Sequence, residues 1–240
     1  MHGFNWFALL SEKVTGENIH IITGIFVLLL LTLAAVIVRK RLLQLEKSLV
    51  PDQGVTLTNI FELLVENFLS LMEGIVGKSA RDHVGLVVSV FVFIFVSNLM
   101  GLIPGFLPPT SNINTNLAIS GCIFIYFNYL GIKEHGFVNY MKHFAGPVWW
   151  LAPLIMAIEL FGTAIRPVTL SLRLFCNINA DHLVLGIFSN LSPIIVPVVF
   201  MILGIFIAFV QAFVFTLLSV IYIALATAHE EEHAHDSHAH

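Results

Sequence analysis

Residues 19–38 read Ile-His-Ile-Ile-Thr-Gly-Ile-Phe-Val-Leu-Leu-Leu-Leu-Thr-Leu-Ala-Ala-Val-Ile-Val, twenty positions without a formal charge, followed at once by Arg39-Lys40-Arg41. A helix rises about 1.5 Å per residue, so twenty apolar residues match a hydrocarbon core of about 30 Å. This stretch is a first membrane span. The whole chain agrees, because 58% of its 240 residues are hydrophobic and only 11% are charged. Soluble domains are about 25% charged, and no hydrophilic stretch here is long enough to form one. The net charge of −4 carries no basic patch beyond Arg39-Lys40-Arg41, which speaks against a nucleic-acid partner.

Working outward, positive charge stays on the cytoplasmic side of a span. Arg39, Lys40, Arg41 and Lys47 therefore place residues 1–18, which hold only Lys13, outside. The N-terminus has no cationic region before its apolar stretch and no small-residue cleavage site, so it reads as retained chain. Residues 55–76 differ. Ile60, Leu63, Leu64, Asn67, Phe68, Leu71 and Ile75 keep helical spacing, with Glu62, Glu66, Ser70 and Glu73 opposite. This predicts an amphipathic helix on the inner membrane surface; the other reading is a helix packed on a soluble partner.

A second span runs from Val84 to Ile103 and ends at Gly101, Pro104, Pro108 and Pro109. The loop Pro104 to Asn116 has no Lys or Arg, as an outer loop should. A third span, Leu117 to Ile132, returns inward to Lys133 and Lys142, so residues 84–132 form a helical hairpin. The stretch from Trp149 to Asn190 is broken only by Pro153 and Pro167. A straight helix of that length measures about 63 Å, twice the membrane thickness, so it breaks or crosses steeply tilted. Ser192-Pro193 and Pro197 mark a turn. The run Ile194 to Ala226 is again longer than one upright span needs. The fold class is all-α: a polytopic membrane domain with about five membrane segments, one amphipathic surface helix and a long tilted C-terminal hairpin over residues 149–226. Cys122 and Cys176 lie inside apolar runs and read as free thiols packed among side chains.

The chemistry lies in that last hairpin. Glu159, Thr163, Arg166, Thr169, Arg173, Asn177 and Asp181 recur every three or four residues and form a polar stripe on an apolar helix. Such a stripe faces protein or water, not lipid. Arg173 is the sharpest signal, standing among Leu170, Leu172, Leu174 and Phe175. A mid-membrane Arg costs at least ~2.5–3.5 kcal/mol and keeps its proton, so it calls for an anion. Glu159 and Asp181 are about 21 Å and 12 Å away along a straight helix, too far to pair. The spacing therefore predicts a partner protein with an intramembrane carboxylate; the other reading is that Arg173 snorkels to an interface.

Arg166 precedes Pro167 and has two readings, an ion-path role or a structural one bonding carbonyls that the proline frees. Gln211 shares a face with Gly204, Ala208, Ala212 and Ser219, small residues that let helices approach. It reaches toward Arg173 or makes an interhelical hydrogen bond. His182 lies about half a turn around from Arg173 and reads as a proton relay on another face or a buried neutral histidine. His229-Glu230-Glu231-Glu232-His233 fits the H-E-x-x-H pattern, but residues 229–240 are a charged flexible tail without a third ligand. No metal site, cofactor or catalytic centre is read from it.

The run Leu170-Ser171-Leu172-Arg173-Leu174-Phe175-Cys176-Asn177-Ile178-Asn179-Ala180-Asp181-His182-Leu183 closely resembles subunit a of the membrane Fo sector of F-type ATP synthases. Val210-Gln211-Ala212-Phe213-Val214-Phe215 resembles that family's second signature. Ser97-Asn98-Leu99-Met100-Gly101-Leu102-Ile103-Pro104 and Pro109-Thr110-Ser111-Asn112-Ile113-Asn114-Thr115 are similar to its earlier ones. The resemblance implies a stator in the cell inner membrane beside a ring of c subunits, with peripheral-stalk subunit b and the rest of the ATP synthase as further partners. It implies two aqueous half-channels, with Arg173 as the essential arginine between them. Glu159, Asn177, His182 and Gln211 match polar positions of the ion path, and Asp181 stands beside them. His182 occupies a place that is acidic in some relatives, and Gly204 one that can be histidine. Arg166, Thr169 and Ser219 remain structural or half-channel candidates. The coupled ion leans to H+ because ion-selecting ligands belong mostly to the ring. A self-contained secondary transporter or channel is the alternative, although it calls for a complete binding site and often an inverted repeat, and the chain shows neither.

Overall fold

The computed structural model describes residues 19–42, 56–103, 106–136, 152–191 and 195–227. The N-terminal segment 1–18, the turn residues Ser192 and Pro193 and the tail 229–240 lie outside them. Six α-helices occur among the described residues: α1 (Ile19–Leu42), α2 (Leu57–Val76), α3 (Ala80–Gly101), α4 (Ile113–His135), α5 (Ala152–Leu191) and α6 (Ile195–Thr227). Five of them, all but α2, are long and apolar enough to cross a membrane. The chain is an all-α, multi-pass membrane protein, as its sequence predicts.

Local chemistry sets the boundaries. Thr56 caps α2 by accepting from the Asn59 amide, and Asn112 caps α4 by accepting from the Asn114 amide at 2.9 Å. Gly77 ends α2 and Gly136 follows α4, both at positive φ (77° and 73°), where a side chain would be strained. Between α3 and α4 a short 3-10 turn, Pro109–Ser111, brings the chain back.

The core is built from α2 to α6. Phe68 and Met72 of α2 meet Val87, Phe91 and Ile94 of α3, with Ile123 and Phe127 of α4, Leu170, Leu174 and Ile178 of α5, and Ala212 and Phe215 of α6. α3 packs mainly on α6 and α4 mainly on α5, while α1 touches only α2, α3 and the 3-10 turn within the main packing. α2 is thus tied to the bundle's own spans. Only part of its apolar stripe is used, because Ile60, Leu63 and Ile75 stay exposed.

One alternative drops out and one detail changes. The helix α5 runs unbroken for 40 residues through Pro167. At about 1.5 Å per residue it is about 60 Å long, so tilt remains as the way to fit a bilayer. Pro197 falls inside the first turn of α6 instead of in the preceding turn, where its missing amide hydrogen has no helical partner to lose. Cys122 and Cys176 are free, as expected, but both are exposed and not packed.

Candidate functional site

α5 carries the polar stripe along the rim of its buried face. Leu170, Ser171, Leu174 and Ile178 are buried against the core, and Arg173 is exposed beside them. Around Arg173 the exposed side of α5 is apolar: Phe161, Ile165, Val168 and Leu172 are 70%, 52%, 43% and 42% exposed. Their spacing of three or four residues makes this one continuous strip. Among the described residues Arg173 has no ion pair and no hydrogen bond. A permanent cation therefore stands beside an apolar exposed face with no anion paired to it among the described residues.

On the other side of Asn177 the arrangement closes inward. The Asn177 Nδ2 donates to Gln211 Oε1 at 2.7 Å, joining α5 to α6. Gln211 is buried, and its Nε2 donor has no partner, an uncommon state for a buried polar atom. The sequence left Gln211 between reaching Arg173 and making an interhelical bond, and the structure gives the bond. Two adjoining clefts open here. One, of about 190 Å³, is lined by Asn98, Asn177, Asp181, His182, Gly204 and Gln211 among others. The second, of about 340 Å³, shares Asn177, Asp181 and Gln211 with it. His182 lines the first cleft with Asp181, because α3 and α6 close around α5 at this level, and Arg173 lines neither cleft.

The small residues of α6 explain that closeness. Gly204, Ala208 and Ala212 are buried, and a Cβ on Gly204 would collide with the Leu102 side chain at the end of α3. Asn98 is the cleft residue that the stripe reasoning missed. Its signal was its place as an amide within an apolar span. Its Oδ1 accepts from the buried Thr110 hydroxyl at 3.0 Å, and Thr110 O accepts from Asn116 Nδ2 at 2.8 Å.

The remaining candidates divide. Arg166 does not bond the carbonyls freed by Pro167. Its guanidinium carbon lies 5.0 Å from the centroid of the Tyr222 ring, a cation–π contact. The Thr169 hydroxyl donates to Arg166 O at 2.9 Å. Ser219 is buried, donates to Phe215 O at 2.9 Å and lines neither cleft. Glu159 lies on α5, two turns before Arg166. Among the described residues no three His, Cys, Asp or Glu side chains gather as for a metal.

Comparison with known proteins adds an independent line. The family model described as ATP synthase A chain matches residues 20–224. The chain is 42% identical over 231 residues to a protein of Bdellovibrio bacteriovorus named ATP synthase subunit a, covering 95% of this chain and 99% of that one. It is also 42% identical to a Sorangium cellulosum protein of the same name, over 89% of this chain and 84% of the other. A Syntrophotalea carbinolica protein named ATP synthase subunit a 1 is 42% identical over 91% and 88%.

Proposed function

Because this chain belongs to the ATP synthase A chain family, we propose that it is the ion-translocating stator of the Fo membrane sector, with Arg173 facing a ring of c subunits. The single observation that carries the reading is Arg173 itself, a fixed cation beside an exposed apolar strip with no counter-charge among the described residues. A carboxylate on a ring helix supplies that counter-charge and passes on as the ring turns. Peripheral-stalk subunit b holds the stator still.

The orientation follows from charge. Arg39 and Lys40 end α1 and Lys133 stands near the end of α4, so those ends are cytoplasmic. The N-terminus is then outside, the C-terminus is cytoplasmic, and the junction of α5 and α6 is outer. In this frame the Asn98–Asp181–His182–Gln211 clefts belong to the outer half-channel, and the Arg166–Tyr222 pair lies toward the inner side. Glu159, nearer the start of α5 still, belongs to the inner half-channel.

The physics runs in three steps. A ring carboxyl in lipid prefers to be neutral and holds its proton. About 4 Å from Arg173, at an effective dielectric of about 20, its ionised form gains about 4 kcal/mol, which lowers its pKa by about three. The proton leaves there, and the fixed guanidinium repels any cation moving straight between the half-channels. The orphaned Gln211 Nε2 at the cleft wall suits a hydrogen-bonded water file that delivers the next proton. Each charge crossing about 100 mV supplies about 2.3 kcal/mol, which biases rotation.

The test is Arg173→Ala in the intact ATP synthase. Assembly should persist while ATP synthesis and ATP-driven proton uptake fall to background. Normal synthesis in that variant refutes the reading.

A further inference from the structure

Two polar or charged side-chain ties join α5 to α6, beside a contact of the Phe188 and Phe200 rings, 5.1 Å apart, nearer the turn; all three share one antiparallel register. Asn177 Nδ2 bonds Gln211 Oε1 at 2.7 Å. Arg166, eleven residues before Asn177, lies 5.0 Å from the ring centroid of Tyr222, which is eleven residues after Gln211. Eleven residues make just over three helical turns, about 16.5 Å, so both ties fall on one strip of each helix. Arg173 lies between them, seven residues after Arg166 and four before Asn177.

We infer that Arg166 is a positioning residue: its contact with Tyr222, on the side of Arg173 away from the turn, completes with Asn177–Gln211 a clamp that holds Arg173 at its height against α6. The inference rests on the role proposed above for Arg173. Long apolar helices in lipid gain little from hydrophobic burial against each other, so burial discriminates weakly between neighbouring registers. The alternative packing is one turn away, about 5.4 Å, enough to carry Arg173 out of reach of a passing carboxylate. Contacts on the turn side of Arg173 alone, Asn177–Gln211 and Phe188–Phe200, still let α5 swing from α6 beyond them. A tie on each side of Arg173 does not.

The chemistry of the second tie is suited to its place. Arg166 is half-buried, and the Tyr222 ring is its side-chain partner among the described residues. A carboxylate partner would add a proton acceptor beside the path. An aromatic face attracts the guanidinium and has nothing that titrates near neutral pH. The ring is itself fixed, because Phe127 of α4 lies 5.8 Å from it. The clamp thus ties α5 to α6 and, through Phe127, to α4.

The experiment is a double-mutant cycle on the intact ATP synthase in inverted membrane vesicles, reading ATP-driven proton uptake per assembled complex. Arg166→Met and Tyr222→Leu should each lower uptake about fivefold, the equivalent of one partly desolvated cation–π contact. The double variant should be no worse than the worse single one. Tyr222→Phe and Tyr222→Trp should rescue most of the uptake, since both keep the ring face. Multiplicative losses in the double variant overturn the clamp. So does an equal loss in Tyr222→Phe and Tyr222→Leu. Should Tyr222→Leu fail to assemble, the two aromatic variants decide: full uptake in both supports the clamp, and loss in both overturns it. Failure of the stator reading shows separately, as normal uptake in Arg173→Ala.

Discussion

The two polar regions of this chain differ in how far their polar and charged groups are answered within the fold. At the turn between α3 and α4, the Thr110 hydroxyl donates to Asn98 and the Thr110 carbonyl accepts from Asn116, and all three residues are buried. Next to it the hydroxyls of Ser120 and Ser171 meet at 2.7 Å, tying α4 to α5. On the stripe, Arg173 has no partner among the described residues and Gln211 keeps one buried donor unbonded. Most neutral groups at the turn find a partner inside the fold, although Ser97 Oγ and Asn116 Oδ1 are buried without one, and the Arg173 charge finds none among the described residues. An unpaired charge in hydrocarbon is far costlier than a paired amide, and the ring carboxylate proposed above would offset that cost for Arg173.

Substitutions can break or sharpen this contrast. The largest effect is expected from Arg173→Ala, which should remove coupled proton uptake while leaving the amount of membrane-bound subunit near normal. Gln211→Leu comes next. It removes the acceptor for Asn177 and the orphaned donor at the cleft, and uptake per complex should fall about tenfold, the equivalent of about 1.4 kcal/mol; an unchanged rate would detach the clefts from the ion path. Thr110→Val tests the opposite class. It leaves Asn98 Oδ1 buried without its donor, costing about 1–3 kcal/mol, so assembled subunit should drop while uptake per assembled complex holds. A change confined to uptake would move Thr110 into the path. The smallest effect belongs to Ser120→Ala, because Ser171 keeps its 2.7 Å bond to Pro167 O. A loss of about 0.5–1.5 kcal/mol, read as a small shift in thermal stability of the detergent-solubilised complex, is expected.

Much of this was readable from residue order. Apolar run length gave the five spans and the amphipathic α2, since hydrocarbon thickness fixes how many apolar residues a span needs. The stripe from Glu159 to Asp181 followed from helical periodicity, and the missing partner of Arg173 followed from distances along one helix. Periodicity served less well wherever a second helix decides. It did not show that α3 and α6 wall a cleft in which His182 and Asp181 come together. It offered Arg166 the carbonyls near Pro167, while the partner is Tyr222, far along the chain on α6. Tyr222 carries no signal beyond an aromatic near a span end, a common place for one.

By itself, then, the sequence determined that this chain lies in a membrane, how often it crosses, and that one cation in its longest span has no counter-charge nearby. These are one-dimensional quantities, set by the fixed rise per residue of a helix and the cost of charge in hydrocarbon. Only the tertiary structure decided which polar groups meet: Asn177 with Gln211, Arg166 with Tyr222, Asn98 with Thr110. Such pairs depend on the register between helices, which van der Waals fit, small residues such as Gly204, and a few polar contacts select together. No local pattern along one helix encodes it.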